Sequence, residues 1–228
     1  MNRESLLRSR LIEIKDSIKN TKLIAVTKYY PMEDIIFLYK AGHRDFGESR
    51  VKELLEKSNN ANARGMSDIV WHFIGNLQSN KINQLLQVNN LKFIHSINSL
   101  KLLEELVKKD NQFVGNKLSF FLQVNTSLEE EKSGFESEEE LTNAIRYFLD
   151  YSPVKYQLKG LMTMGKFRTD DLEGDARICF QKLRKIKGQM EKIFSGLFLE
   201  LSMGMSQDYK IAITEQSNFI RVGSALLS

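Results

Sequence analysis

Three features of this chain could do chemistry on an anionic carbonyl compound: a strand-end lysine, an arginine inside a strand, and two serine- and glycine-bearing turns. The segment "LIAVTK" runs from Leu23 to Lys28, and Leu23 to Thr27 read as a buried strand with Lys28 at its last position. An amine in a desolvated site, near other cations, loses its proton readily and attacks carbonyl carbon. The plainer alternative is a lysine that lies along apolar surface with its ammonium in water. Arg221 stands within "FIRVGS", on the same face as Gly223 by the two-residue strand period. A charge inside a strand needs a partner. That partner is either Glu200 or Glu48 in a structural ion pair, or an acceptor atom on a bound ligand. The turns "SMGMSQD" and "VGS" supply Gly204, Met205, Ser206, Gly223 and Ser224. Gly204 is expected to let backbone approach a ligand closely, and Ser206 to cap the next helix, whose amino terminus attracts anions.

Other candidates are weaker. His72 and His95 could be acid–base groups, but a histidine in an apolar strand reads first as a satisfied core residue. Three histidines and one cysteine show no metal-ligand spacing, so no metal is expected. Neither a G-x-S-x-G elbow nor a P-loop is present.

These residues must be positioned by a repeating framework. Short runs rich in Val, Ile and Phe predict strands near 23–28, 44–47, 71–75, 92–97, 118–124, 158–163, 197–202 and 219–223. Amphipathic stretches predict helices near 32–41, 49–58, 78–87, 99–109, 137–150, 171–194 and 207–216, with a leading helix over 3–19. Pro31 suits a helix start, Ser137 and Glu140 form a capping box, and Asp170 and Asp171 open the longest helix. "NNANARGMSD", residues 59–68, reads as a surface loop, and the acidic run Glu129 to Glu140 as a solvated loop and helix start. Eight strands alternating with helices predict a compact (β/α)8 barrel of the TIM type, a single domain over residues 1–228 with an extra N-terminal helix. An open doubly wound sheet is the competing fold, but no G-x-G-x-x-G follows the first strand. The last helix is expected to be truncated or absent.

In such a barrel, sites form at the carboxyl ends of the strands, with phosphate held after strands seven and eight. Lys28, the two turns and an inward Arg221 together fit pyridoxal 5′-phosphate: the aldehyde to Lys28, the phosphate to Ser206 and Ser224, the ring nitrogen to Arg221.

Composition narrows the classes. Net charge is only +4 with basic residues spread along the chain, which argues against a nucleic-acid surface. The single cysteine, Cys179, excludes an internal disulfide framework and points to a reducing cytoplasmic home, and it reads as a small core residue. The amino terminus has no signal-peptide core, and no apolar run is long enough to span a bilayer.

"LIAVTK", "FGESRVKEL", "WHFIGNLQSNK", "LQVNTSLEEEKSGF", "GLMTMGKF", "LSMGMSQDYKIAI" and "IRVGSAL" occur in order from residue 23 to 227 and resemble the pyridoxal phosphate homeostasis protein family. That family is similar to the N-terminal barrel of alanine racemase. The resemblance implies a barrel holding pyridoxal phosphate as an internal aldimine on Lys28. It also implies phosphate contacts from Ser206, Gly223 and Ser224, and Arg221 facing the pyridine nitrogen; Met205 and Ser49 join the expected cofactor-binding positions. Three positions depart from the family pattern: Tyr30 replaces a second lysine, Ser49 an asparagine, and Ser224 a threonine. The implied role is non-catalytic: a carrier or reservoir acting in vitamin B6 and amino-acid homeostasis, with pyridoxal-phosphate-dependent enzymes as clients. A monomer is expected, since no exposed apolar stripe demands a dimer. The rivals are an amino-acid racemase or decarboxylase on the same barrel, and a lysine-imine aldolase binding a phosphorylated sugar.

Overall fold

In the computed structural model, residues 2–127, 133–166 and 169–228 are described. Eight parallel strands close into a barrel in chain order: β1 (Lys22–Val26), β2 (Asp45–Glu48), β3 (Val70–Phe73), β4 (Leu91–Ile97), β5 (Leu118–Gln123), β6 (Tyr156–Met162), β7 (Glu200–Met205) and β8 (Phe219–Val222). Closure is made by β1 and β8, with Ile24 beside Arg221 and Ala25 beside Val222. The helices are α1 (Arg3–Ser17), α2 (Met32–Lys40), α3 (Val51–Ala63), α4 (Ile82–Leu85, after a 3₁₀ turn), α5 (Leu100–Val107), α6 (Glu138–Tyr151), α7 (Leu172–Ile193), α8 (Tyr209–Thr214) and α9 (Ser224–Leu227). The (β/α)8 reading therefore holds, and the open sheet does not.

The two-residue period of the strands builds two cores. Leu23, Ala25, Ile220 and Val222 face outward into a large apolar layer shared with Ile35, Leu38, Leu103 and Leu183 of the helices. Ile24, Phe121, Met162 and Phe219 face inward, with Phe93 and Met164 against them. Arg221 shares the inward phase of β8 with Phe219, so its guanidinium lies in the barrel interior. Helix α1 buries Leu7, Leu11 and Ile14. It ties α2 to α9, because Arg3 donates to Asp34 at 2.6 Å and to the Leu227 carbonyl.

Several local expectations are met. Ser137 Oγ accepts from Glu140 N at 3.1 Å, and Asp171 caps α7 by accepting from Gly174 N at 2.9 Å. Cys179 is buried in α7. The return arm of the capping box is displaced by one residue, since Glu140 Oε2 accepts from Glu136 N. Residues 128–132 of the acidic run lie outside the described residues.

Three boundaries differ. Residues 59–63 extend α3 rather than forming a loop, because Ser58 and Ala61 continue its buried face until Gly65 turns the chain with φ 74°. Strand β7 begins three residues later than the apolar run "LFL" suggests: Phe198 is 86% exposed, and pairing starts where Glu200 meets Gly160. Gly204 and Met205 are thus strand residues, not loop residues. The last helix is truncated to the short α9, one of the two expected outcomes. Among the described residues, no helix is long and apolar enough to cross a membrane.

Candidate cofactor site at the carboxyl mouth of the barrel

Strands β7, β8 and β1 are neighbours, so the segments following them meet at one mouth of the barrel. Lys28 lies two residues beyond β1, in a turn and not at the strand's last position. The ladder does extend to Thr27, whose N–H donates to the Gly47 carbonyl at 3.0 Å. Thr27 is then clamped on two sides. Its hydroxyl donates to Glu48 Oε1 at 2.7 Å, and its carbonyl accepts from Lys57 Nζ at 2.9 Å. Lys57 and Glu48 are themselves paired at 2.7 Å. Burial pushes the Glu48 carboxyl above its ordinary range, while Lys57 pulls it back. The residue before the candidate nucleophile is therefore held by a buried ion pair. The residue after it, Tyr29, sits in the left-handed region at φ 71° with its ring in water. The Lys28 ammonium lies 5.8 Å from the Tyr29 ring, and the Arg50 guanidinium 5.3 Å. Lys28 is half-buried at the mouth.

Arg221 is 5% exposed and forms neither of the structural ion pairs that were the alternative to a ligand contact. Glu200 pairs instead with Lys159 at 2.6 Å, and Glu48 with Lys57. Strand phase separates the inward Arg221 from Glu48, whose side chain reaches Lys57 of α3, while Glu200 stands at the amino end of β7, level with Gly160. Arg221 Nη1 donates to Ser202 Oγ at 2.7 Å, and Nη2 to the Thr163 carbonyl at 2.9 Å. Burial lowers its pKa to about 10, against the opposing pull of Asp208. A buried guanidinium held by neutral acceptors retains donor capacity for a ligand.

Ser206 does not cap the following helix; Asp208 occupies the cap position of α8. Ser206 reaches across to the β8–α9 junction, where its Oγ accepts from Gly223 N at 3.1 Å and Ala225 N at 3.3 Å. Ser224, exposed, opens α9 beside them. Ser206, Gly223 and Ser224 thus come together, with backbone donors already converging on one oxygen. Met205 is the register partner of Arg221, and its N–H donates to Asp208 Oδ1 at 2.5 Å. The close backbone approach at Gly204 is to α8: with φ at 97°, an added Cβ would lie 2.5 Å from Ala212 Cβ. Gly223 has no left-handed backbone, and a Cβ there would make only ordinary contacts from 3.4 Å. Ser49 follows β2, beside the Lys28 turn, and its carbonyl packs so closely on Gly75 that a Cβ there would fall 1.9 Å away. Tyr30, in place of a lysine, bonds the Ser228 hydroxyl at 2.9 Å and ties the Lys28 turn to the α9 segment.

His72 and His95 are fully buried and hydrogen-bonded to each other at 3.0 Å, as core histidines should be. Sequence reasoning missed Thr163, Ser202, Asp208, Thr27 and Lys57. Ser202 had one visible signal, a hydroxyl at an inward position of β7. The residues present suit pyridoxal phosphate: an amine at the mouth, anion donors at the α9 start, and a buried guanidinium without a carboxylate within ion-pair distance among the described residues.

Comparison with known proteins points the same way. The family model for the alanine racemase N-terminal domain matches residues 4–228. The pyridoxal phosphate homeostasis protein of Schizosaccharomyces pombe is 36% identical over 222 residues, covering 97% of this chain and 89% of that one. Among solved structures, PipY of Synechococcus elongatus without pyridoxal phosphate aligns with a TM-score of 0.88 at 30% identity, covering 97% of this chain and 100% of that chain. The form with pyridoxal phosphate bound gives 0.86 at 29% identity. Alanine racemase from Corynebacterium glutamicum shares the fold at a TM-score of 0.74 with 14% identity, over 98% of this chain and 60% of that chain.

Proposed function

This chain belongs to the pyridoxal phosphate homeostasis protein family, and on that premise we propose that it holds pyridoxal 5′-phosphate at the carboxyl mouth of its barrel, serving vitamin B6 and amino-acid homeostasis without turnover of its own. The observation that supports this reading is that Lys28, Arg221 and the Ser206–Gly223–Ser224 cluster lie on or just beyond three adjacent strands, at the same end of the barrel. When bound, pyridoxal phosphate supplies an aldehyde that takes up amines and a ring that accepts electrons. Lys28 offers the amine for a covalent hold on that aldehyde. Ser206 and Ser224 would hold the phosphate at the start of α9, beside the Gly223 and Ala225 N–H groups that donate to Ser206 Oγ. Arg221 would contact the ring nitrogen, where its positive charge would keep a proton off that atom. An arginine there leaves the ring a poor sink for electrons, which favours holding over catalysis. Met205 and Ser49 line the same mouth. Delivery would go to pyridoxal-phosphate-dependent client enzymes.

Titrating pyridoxal phosphate into the purified protein tests this. The wild type should develop a visible absorption band, and Lys28→Ala should not; a full band in that variant contradicts the assignment. Arg221→Gln should fold and retain the cofactor poorly. Pyridoxal lacking the phosphate should bind far more weakly, since each hydrogen bond to a charged group contributes about 1.5–3 kcal/mol. Equal affinity for both aldehydes would remove the anion cradle. Turnover with any of a panel of L-amino acids would favour the racemase or decarboxylase reading.

A further inference from the structure

A line of buried hydrogen bonds crosses the barrel interior from Arg221 to the opposite mouth. Arg221 Nη1 lies 2.7 Å from Ser202 Oγ, and Ser202 Oγ lies 2.9 Å from His95 Nδ1. His95 Nε2 is 3.0 Å from His72 Nδ1, and His72 Nε2 is 3.0 Å from Asp45 Oδ1. Asp45 opens β2 at the amino-terminal mouth, where Lys22 Nζ stands 3.6 Å from the same oxygen. Ser202, His95 and His72 are completely buried. The rings are fixed in place: His72 stacks on Phe93 and His95 on Phe121, each with centroids 4.5 Å apart, and Phe219 touches both.

The two ends dictate the direction of every bond. A guanidinium only donates, so Ser202 Oγ must accept from Arg221. That leaves Ser202 a second lone pair, so the remaining bonds are set from Asp45. As a carboxylate Asp45 only accepts, so His72 donates from Nε2 and, when neutral, is bare at Nδ1. His95 then donates from Nε2 to His72 Nδ1 and, when neutral, is itself bare at Nδ1, where it accepts the Ser202 hydroxyl proton. With both rings neutral, the reversed line would require Asp45 to donate, which a carboxylate cannot. Burial pushes both histidines below their ordinary pKa, outweighing the upward pull of Asp45 on His72, and the nearby charges of Lys22 and Arg221 add to the lowering.

We propose that Ser202, His95, His72 and Asp45 form a one-way hydrogen-bond relay that positions Arg221 and couples its contact with the cofactor ring to a carboxylate at the far mouth of the barrel. The functional half of this rests on Arg221 facing the ring nitrogen, as argued above. These four are positioning residues, acting through Arg221. Aligned hydrogen bonds polarise one another in a dry interior. The negative end of each bond faces Arg221, so the line stabilises a cation with no carboxylate at ion-pair distance among the described residues. Removing the charge at Asp45 while keeping its acceptor oxygen weakens that polarisation without emptying space.

The test has two arms. Long-range proton–nitrogen NMR on the ¹⁵N-histidine-labelled wild-type chain, without added cofactor, should show His72 and His95 both neutral, bare at Nδ1 and protonated at Nε2. Either ring charged, or protonated at Nδ1, overturns the relay. In the second arm, Asp45→Asn should shift the visible band of bound pyridoxal phosphate and weaken its binding roughly fivefold, the low end of coupling between separated sites. Ser202→Ala should do the same and also change the His95 nitrogen shifts. A band and affinity equal to wild type in Asp45→Asn overturns the coupling. Failure of the wild type to take up the cofactor would instead defeat the reading of the mouth, and the NMR arm would still decide the relay.

Discussion

At the scale of single residues, the candidate nucleophile depends on a neighbour that does no chemistry. Thr27 spends its hydroxyl and its carbonyl on Glu48 and Lys57, and so fixes the backbone that carries Lys28. Thr27→Val keeps the shape but removes a buried hydrogen bond to a charged group. We expect a loss of about 1.5–3 kcal/mol in urea unfolding, accompanied by weaker cofactor binding; a change below about 0.5 kcal/mol would place this site with ordinary surface positions. Lys28, Ser206, Arg221 and Ser224 could be picked out in the sequence because polar groups at the ends of apolar strands are conspicuous. Their partners could not. Which acceptor Arg221 meets depends on the inter-strand register of β6, β7 and β8, which no local pattern specifies. His72, His95 and Ser202 look like isolated core residues until barrel closure brings them into line.

At the scale of elements, two glycines with opposite surroundings separate packing from propensity. A Cβ on Gly160 of β6 would stand 1.8 Å from the Glu200 carbonyl oxygen, against backbone that cannot yield without opening β6 from β7. Gly160→Ala should therefore cost about 3 kcal/mol or more. Gly188 lies within α7 and meets nothing within 4 Å. Gly188→Ala should stabilise by about 0.5–1 kcal/mol through helix propensity. Thermal unfolding of the two variants checks both signs, and equal shifts would contradict the packing described. All eight strands were legible from apolar runs and the intervening amphipathic periods. The start of β7 was not, because hydrophobicity at Leu197 and Phe198 says nothing about which residues find a partner strand. That three-residue shift also moved Gly204 from a supposed ligand loop to the contact with α8.

At the scale of the whole molecule, the three buried histidines tie stability to pH. Burial lowers the His43 pKa to about 4 and lowers those of His72 and His95 as well. The unfolded chain takes up these protons near the ordinary value of about 6.5, whereas the folded chain refuses them. Their contribution is full above that value and falls as the pH drops towards 4. Glu48 and Asp208, whose folded pKa is raised by burial, act in the opposite sense: the folded chain takes up their protons first. The histidine effect is therefore clearest between about pH 6.5 and 5, where His43 alone changes stability by about 2 kcal/mol. Urea unfolding should show stability falling over that interval, with a shallower fall in His43→Gln. A wild-type profile with the same slope as that of His43→Gln would mean that this ring is not held neutral.

Covalent attachment of pyridoxal phosphate is assigned to Lys28. Borohydride reduction of the protein incubated with the cofactor, followed by peptide mass spectrometry, tests it most directly. A single phosphopyridoxyl group on the peptide carrying Lys28 is the predicted result. A label on Lys81, on Lys132 or spread over surface lysines, with Lys28 unmodified, would contradict it.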